Sequence, residues 1–188
     1  MMASSSPSSG RLSVDDWIQA GFSILAEDGL EALKIDRLCA RLGVTKGSFY
    51  WHFKDMASYR TAVVRAWAEL RDRDRSDFGA LANLAPRERL SRMMASLTGL
   101  RQWNLERAMR EWARTDRAAA DSVHAADQRV LMAVRQAFVD AGFSAADADL
   151  RANATFAAGI GFLHIFAAPP DERLTDQRQR FLDLMLTQ

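Results

Sequence analysis

Residues 35–55 read Ile35-Asp-Arg-Leu-Cys-Ala-Arg-Leu-Gly-Val-Thr-Lys-Gly-Ser-Phe-Tyr-Trp-His-Phe-Lys-Asp55, and this stretch decides the fold. Four apolar residues in its first part share one helix face, because they lie three and four apart: Ile35, Leu38, Cys39 and Leu42. Gly43 follows them. A glycine at this point predicts a helix end, since it enters the left-handed region at little cost.

A second short helix is predicted directly after a tight turn. Thr45 can cap this helix by accepting a hydrogen bond from the backbone N–H of Gly47 or Ser48. Phe49 and Phe53 are four residues apart and should face inward together. Two short helices around a tight turn are typical of a helix-turn-helix, whose second helix enters the major groove of DNA with its first turn at the base edges.

The outward residues of the second helix have the chemistry of a DNA-binding surface. Gly47 would let the backbone approach the duplex, Lys46 can donate to guanine O6/N7 or to a phosphate, and Ser48 can contact either. The donors that suit phosphate oxygens are Tyr50, His52 and Lys54. The alternative is that Tyr50 and Trp51 are core aromatics and that Lys46 is a solvated charge.

At this point the sequence resembles a known family. Residues from about Val14 to Val64, about a quarter of the chain, are similar to the DNA-binding domain of the tetracycline-repressor (TetR) family of bacterial transcription regulators. The specific part is 42–55, which is similar to the family's Gly-Val-Ser/Thr, small residue, aromatic pair and His-Phe pattern. The resemblance implies base-edge or sugar contacts by Thr45, Lys46, Ser48 and Trp51, and phosphate contacts by Tyr50, His52 and Lys54.

Two residues depart from the family pattern. Lys34 stands where the family usually has a threonine that caps the first helix of the motif and meets a phosphate. Lys34 cannot cap, which forgoes about 1 kcal/mol, but it can still hold a phosphate as a point charge. Asp36 stands where a basic or polar residue is common. It either accepts from a cytosine N4 amino group or faces solvent, and the sequence leaves both open.

Composition and charge agree with an all-helical, cytoplasmic regulator. The chain has 188 residues with four prolines and ten glycines, enough to bury one sizeable core and a small satellite domain. The net charge is only +1, but 34–60 holds six bases against two acids, a local net charge of +4. Such a patch predicts an affinity for DNA that falls steeply with salt.

The single cysteine and the N-terminus exclude other classes of protein. Cys39 alone cannot form a disulfide framework, so we predict a small buried hydrophobe, with a redox sensor as the weaker alternative. Met1 to Gly10 is serine-rich and lacks the charged start and apolar run of a signal peptide. We expect a disordered arm over 1–12, a helix-turn-helix domain over 13–60 and a helical effector-binding and dimerisation domain over 61–188.

The other helices follow from caps and periodicity. Ser13 with Asp16 resembles a capping box that starts a helix ending at Gly29. A fourth helix is predicted from Met56 to about Arg71, and 71–85 are predicted to be a solvated helix end and loop. Five further helices are predicted at about 86–101, 105–114, 118–141, 145–167 and 173–186.

Residues 152–168 contain no formal charge. A membrane span is disfavoured because the segment is short, rich in small residues and carries Asn153, Thr155 and His164. A helix packed on both sides fits better, with small residues that would let another helix come close. The family resemblance implies that the helices near 145–167 and 173–186 form a four-helix interface in a homodimer.

The resemblance also implies a small-molecule effector site among the middle helices. Its candidate residues are Met94, Leu97, Trp103, Met109, Trp112, Phe138, Phe156 and Ile160, and the alternative is that they form ordinary core. The ligand would be apolar or aromatic. The nearest polar candidates are Arg107, Arg110, Arg114, Asn153, Thr155 and His164.

The sequence therefore predicts a regulator and not an enzyme. It has no phosphate-binding glycine loop, no nucleophile elbow and no histidine pair at metal-ligand spacing, so neither cofactor nor metal is expected. We predict a homodimeric, ligand-responsive repressor that binds a palindromic operator and is released by its effector. The alternatives are an activator and an architectural DNA binder without effector. An architectural DNA binder would not need the two thirds of the chain that follow the predicted DNA-binding domain.

Overall fold

The computed structural model describes residues 12–95, 100–166 and 172–187, and within these ranges the chain is helical without strands. The helices are α1 Val14–Asp28, α2 Ile35–Leu42, α3 Lys46–His52, α4 Met56–Ala80, α5 Pro86–Ala95, α6 Leu100–Trp112, α7 Arg117–Asp140, α8 Ala145–Ile165 and α9 Glu172–Leu186. Short 3-10 helices lie at Leu30–Ala32 and Leu81–Asn83. The predicted all-α fold is confirmed. The predicted N-terminal arm lies outside the described residues, except for Leu12. None of the described helices is long and apolar enough to span a membrane.

Local sequence signals set most helix ends. The Ser13 hydroxyl accepts from the backbone N–H of Asp16 at 3.2 Å, and the Asp16 carboxylate accepts from the backbone N–H of Ser13 at 2.7 Å. Gly43 ends α2 in the left-handed conformation with φ 68°. Ser144 caps α8 by accepting from the N–H of Asp147 at 3.2 Å. The predicted capping box at Ser13 and the predicted helix end at Gly43 are confirmed.

One predicted cap does not form. Thr45 stands at the N-cap position of α3, but its side chain makes no capping hydrogen bond. Only its backbone carbonyl accepts from the N–H of Ser48, at 3.0 Å. Because Thr45 is exposed, solvent can satisfy the first N–H groups of α3 in its place. Lys34, at the N-cap of α2, makes no side-chain cap either, as expected.

The fourth helix is longer than predicted. α4 continues to Ala80, so the prediction of a loop after Arg71 is wrong for 72–80. The first two residues of the charge run contact neighbouring helices. Arg71 Nε lies 3.8 Å from Glu106 Oε2 on α6, and Asp72 Oδ1 lies 2.7 Å from Arg129 on α7. Further on, α5 ends at Ala95 and α6 begins at Leu100, five residues before its predicted start.

The core of the helix-turn-helix continues into the middle helices. Trp17, Phe49, Tyr59 and Trp67 are fully buried in one cluster that also contains Trp112 of α6. Tyr59 Oη donates to the backbone carbonyl of Trp17 at 2.8 Å and so joins α4 to α1. α1 also packs closely along α6. The helix-turn-helix therefore shares its core with α6 and α7.

A second cluster of buried apolar residues is separate from the first. Its buried members come from α5, α7, α8 and α9: Leu90, Met93, Val134, Ala137, Phe138, Ala148, Ala152 and Leu182. α8 packs mainly on α7 and buries Ala148, Ala152, Thr155 and Leu163. The opposite face of α8 is open, so the predicted packing on both sides is not made within one chain.

Candidate nucleic-acid interface and ligand cavity

Aromatic packing determines the orientation of α3. Phe49 is fully buried and lies edge-on to Trp17, with ring centroids 5.5 Å apart. Phe53 is also buried and packs against Tyr59, with ring centroids 4.9 Å apart. These contacts anchor one face of α3 to α1 and α4, as the spacing of Phe49 and Phe53 predicts. The other faces point away from the core.

The outward faces of α3 carry the predicted DNA-binding side chains. Tyr50 is 56% exposed and Trp51 is 70% exposed, so the alternative that both are core aromatics is excluded. All nine predicted residues are exposed or half-buried: Lys34, Thr45, Lys46, Gly47, Ser48, Tyr50, Trp51, His52 and Lys54. A large exposed indole on a short helix is a feature that folding alone does not explain.

An ion pair joins α2 and α3 at this surface. Lys46 Nζ lies 2.6 Å from Asp36 Oδ1, and both side chains are more than half exposed. The hydrogen bond and the charge of Asp36 raise the pKa of Lys46. Asp36 faces solvent, which was one of the two options open from sequence, but its pairing with Lys46 was not anticipated. The helix-turn-helix places the first turns of the two helices side by side, which is the signal that could have predicted the pair.

Two acids from α1 also enter the basic patch. Arg37 pairs with Asp28 at 2.6 Å, and Arg41 pairs with Glu27 through two hydrogen bonds. Glu27 and Asp28 lie outside the 34–60 window, so the local charge of +4 overstates the cations available to DNA. Three of the six bases in that window have ionic partners among the described residues.

The surroundings of Cys39 indicate its role. Cys39 is 6% exposed, and burial, the main cause, raises the pKa of its thiol. It is a small buried hydrophobe, as predicted, and a raised pKa opposes the thiolate that redox chemistry needs. Within the described ranges no group of histidine, cysteine and acidic side chains could hold a metal ion.

A small apolar cavity lies between α5, α7 and α8. The cavity is lined by Leu90, Met93, Met94, Val130, Val134, Thr155, Phe156, Gly159 and Ile160. A water-sized sphere can place its centre in about 40 Å³ of this space. A cavity of that size holds a small molecule only if side chains move, and its two methionines can adapt their shape.

The predicted effector residues divide between this cavity and the core. Met94, Phe156 and Ile160 line the cavity. Trp103, Met109, Trp112 and Phe138 do not line this cavity and are buried, each no more than 2% exposed. Leu97 lies outside the described residues. Sequence analysis missed the contribution of α7, although Val130 and Val134 share a face at helical spacing.

Two of the six polar candidates pair with acidic side chains. Arg110 pairs with Glu106 at 2.8 Å and with Asp127 at 2.6 Å. Arg114 pairs with Glu111 on the surface, and Asn153 is exposed. Arg107 and His164 line an open cleft beside the end of α1. Thr155 remains: it lines the apolar cavity, and its buried Oγ1 has no hydrogen-bond partner.

A buried ionic network connects the head to the middle helices. Glu106 on α6 lies between Arg71 of α4 and Arg110, and Arg110 reaches Asp127 of α7. The side chains of Arg71, Glu106 and Arg110 are 12% exposed or less. This network links the helix that leaves the DNA-binding head to two helices of the larger domain.

The chain is similar in sequence and in fold to known bacterial regulatory proteins. Residues 18–58 match the profile of the family described as bacterial regulatory proteins, tetR family. The solved structure of a TetR-family transcriptional regulator from Rhodococcus sp. superposes with a TM-score of 0.70 at 17% identity, covering 93% of this chain and 98% of that one. A TetR-family regulator from Mesorhizobium loti gives 0.69 at 16% identity, with 92% of each chain covered.

A third structure was solved with a ligand. It is a transcriptional regulator from Saccharomonospora viridis in complex with choline, with a TM-score of 0.72 at 18% identity, covering 92% of this chain and 94% of that one. At such identities these likenesses establish the fold alone. No curated protein sequence matches the chain significantly.

Proposed function

We propose that this chain, whose residues 18–58 match the tetR family of bacterial regulatory proteins and whose fold is that of TetR-family structures, acts as a homodimeric DNA-binding repressor released by a small effector. The observation that carries the proposal is α3, anchored by buried Phe49 and presenting exposed Tyr50 and Trp51. Its operator would be a palindrome, because two-fold related copies present the same helix to two half-sites.

DNA recognition is assigned to the predicted residues around α3. We propose base-edge or sugar contacts by Thr45, Lys46, Ser48 and Trp51, with Gly47 allowing close approach of the backbone. Phosphate contacts would come from Lys34, Tyr50, His52 and Lys54. Their exposure in the free chain supports these roles.

Dimerisation is proposed through α8 and α9. The open face of α8 carries an apolar stripe with helical spacing: Leu150, Ala154, Ala157, Gly161 and Ile165. Leu150 and Ile165 are 69% and 73% exposed, and Leu184 on α9 is 64% exposed. A contiguous exposed apolar face of this kind marks an interaction site. A second copy of the same face would cover it and let small residues bring the helices close.

The effector is proposed to bind at the cavity between α5, α7 and α8. The Saccharomonospora structure, in complex with choline, supports a small-molecule effector for a chain of this fold. Binding there would shift α7, and the network of Asp127, Arg110, Glu106 and Arg71 would pass the shift to α4. A tenfold loss of operator affinity needs about 1.4 kcal/mol of differential binding between the two conformations.

The experiment is a selection of binding sites from a random duplex pool, followed by a salt titration on the enriched sequence. We expect a palindrome and an affinity that falls steeply with salt. Lys46→Ala and Tyr50→Ala should abolish binding to that operator while the protein remains a folded dimer. Arg117→Ala, an exposed change on α7, is the control and should bind normally. Normal binding by both α3 variants would show that α3 is not the recognition helix.

A further inference from the structure

Arg178 on α9 is a buried cation without an acidic partner among the described residues. It is 6% exposed, and its guanidinium carbon lies 5.5 Å from the ring centroid of Phe162 and 6.0 Å from that of Trp103. Burial lowers its pKa, and neither a carboxylate nor a hydrogen bond opposes this effect. Buried arginines are rare in proteins unless they are paired, because desolvation of the charge must be compensated.

The other strongly buried charged side chains of the described ranges are paired. Arg89, 8% exposed, lies 2.6 Å from Asp140, and Glu106, 5% exposed, lies 2.8 Å from Arg110. Arg178 differs from both. Among the described residues the fold therefore supplies partners for its other buried charges and none for Arg178.

Two further polar groups are buried without partners, one beside Arg178 and one at the apolar cavity. The indole N–H of Trp103 has no acceptor, and it belongs to a ring beside the Arg178 guanidinium. Thr155 Oγ1 is also unpaired, at the apolar cavity. Thr155 and Phe162 are seven residues apart and share one face of α8, so this face runs from the cavity towards Arg178. The three groups carry hydrogen-bond donors, and buried donors are normally satisfied.

We propose that the effector carries a carboxylate that binds Arg178 and the Trp103 N–H, with its apolar body in the cavity between α5, α7 and α8. This assignment rests on the proposed function and names the chemical class of its effector. One unpaired cation matches one negative charge, and the planar guanidinium fits a carboxylate through two parallel hydrogen bonds. The apolar lining of the cavity fits an aliphatic or aromatic monocarboxylic acid. A cationic ligand such as choline would be repelled.

The test is thermal unfolding and calorimetry with a panel of matched ligand pairs. The acids are benzoate, phenylacetate, 1-naphthoate and the straight-chain acids from butyrate to decanoate, each compared with its primary amide, and choline is the cationic control. We expect at least one acid to raise the melting temperature by several degrees while its amide and choline do not. No acid-selective shift anywhere in the panel would overturn the inference.

Variants then locate the contact. Arg178→Met should weaken binding of the active acid roughly 10- to 100-fold, and without ligand it should melt higher than the wild type, because a buried unpaired charge is removed. Trp103→Phe, which removes only the N–H, should weaken binding several-fold. Arg180→Met, an exposed residue of the same helix paired with Asp176, should bind normally. Equal acid binding by Arg178→Met and the wild type would refute the contact.

Two readouts separate the possible failures. If Arg178→Met dissociates the dimer in analytical ultracentrifugation, the acid that faces Arg178 belongs to a second copy, and the effector inference fails. Operator binding is measured on the same preparation without ligand. Selective enrichment of an operator with no acid binding overturns this inference alone, whereas the absence of any operator contradicts the proposed function.

Discussion

Lys46 Nζ and Asp36 Oδ1 lie 2.6 Å apart and join the first turn of α3 to the first turn of α2. Lys46 is the base on α3 that is placed to meet DNA, so in the free protein its charge is already engaged. A phosphate or a guanine edge must compete with Asp36 for this ammonium group. Non-cognate DNA offers only phosphates, so the pair should weaken non-specific binding in particular.

Asp36→Ala should therefore strengthen binding to random-sequence DNA. The change frees Lys46 and removes a negative charge from the DNA-facing surface, and we expect roughly fivefold tighter binding at low salt. The salt dependence should steepen by about 0.9 per protomer if Lys46 then meets a phosphate. Fluorescence anisotropy on a random duplex across a salt series measures both. Asp121→Ala removes an equally exposed acid on α7 and should change neither; weaker binding by Asp36→Ala would show that Asp36 itself contacts DNA.

Gly47→Ala should separate folding from DNA binding. A Cβ at this position would meet only Thr45 Oγ1, at an ordinary 3.6 Å, and alanine favours a helix by up to about 1 kcal/mol over glycine. The variant should melt at or above the wild-type temperature. It should nonetheless bind the operator much more weakly, because the added methyl group blocks the approach of the α3 backbone to the duplex. Unchanged operator affinity would contradict the close approach at Gly47.

Gly21→Ala should destabilise the head. An added Cβ would lie 2.1 Å from Tyr59 Oη, the hydroxyl that donates to the Trp17 carbonyl. We expect a loss of about 1–3 kcal/mol in urea unfolding, despite the better helix propensity of alanine. The loss should shrink in a Tyr59→Phe background, where that oxygen is absent, which a double-mutant cycle measures. Gly159→Ala, with no atom within 4 Å of its Cβ, is the control and should not destabilise.

Ile165→Glu should break the dimer. Ile165 is 73% exposed on the apolar stripe of α8, so the change should be harmless in a monomer and should bury a charge in each half of a symmetric interface. We expect the dimer dissociation constant to rise at least about 100-fold in sedimentation velocity. Met132→Glu alters an exposed methionine of α7, 59% exposed and outside the stripe, and should leave the dimer intact. Dimers of equal strength in both variants would place the interface elsewhere.

Glu106→Gln should be costly because it breaks the network between α4, α6 and α7. Glu106 contacts both Arg71 and Arg110, and its side chain is 6% exposed. Asp127 still pairs with Arg110, so we expect a loss of about 2–3 kcal/mol in place of the larger cost of an entirely unpaired buried charge. Glu69→Gln breaks an exposed pair with Arg65 and should cost less than about 1 kcal/mol. Equal costs would show that the network does not stabilise the helix junction.

Sequence analysis predicted the features that depend on local chemistry. The capping boxes, the glycine at the end of α2 and the spacing of Phe49 and Phe53 follow from hydrogen bonds and periodicity within a few residues. The same reasoning misplaced the end of α4. Its charge run resembles a solvated end when viewed alone, but Arg71 and Asp72 pair with side chains far along the chain.

The features of the candidate sites also separate into those that depend on local sequence and those that depend on contacts between distant helices. By itself the sequence determined the all-helical fold, the helix-turn-helix and the outward chemistry of α3, because a short motif carries its own caps, core anchors and exposed donors. Only the tertiary structure decided that Asp36 holds Lys46, that Met109 and Phe138 are core while Val130 and Val134 line the cavity, and that Arg178 is buried without an acid among the described residues. Each of these depends on which distant helices meet, and neither helical period nor composition encodes those contacts.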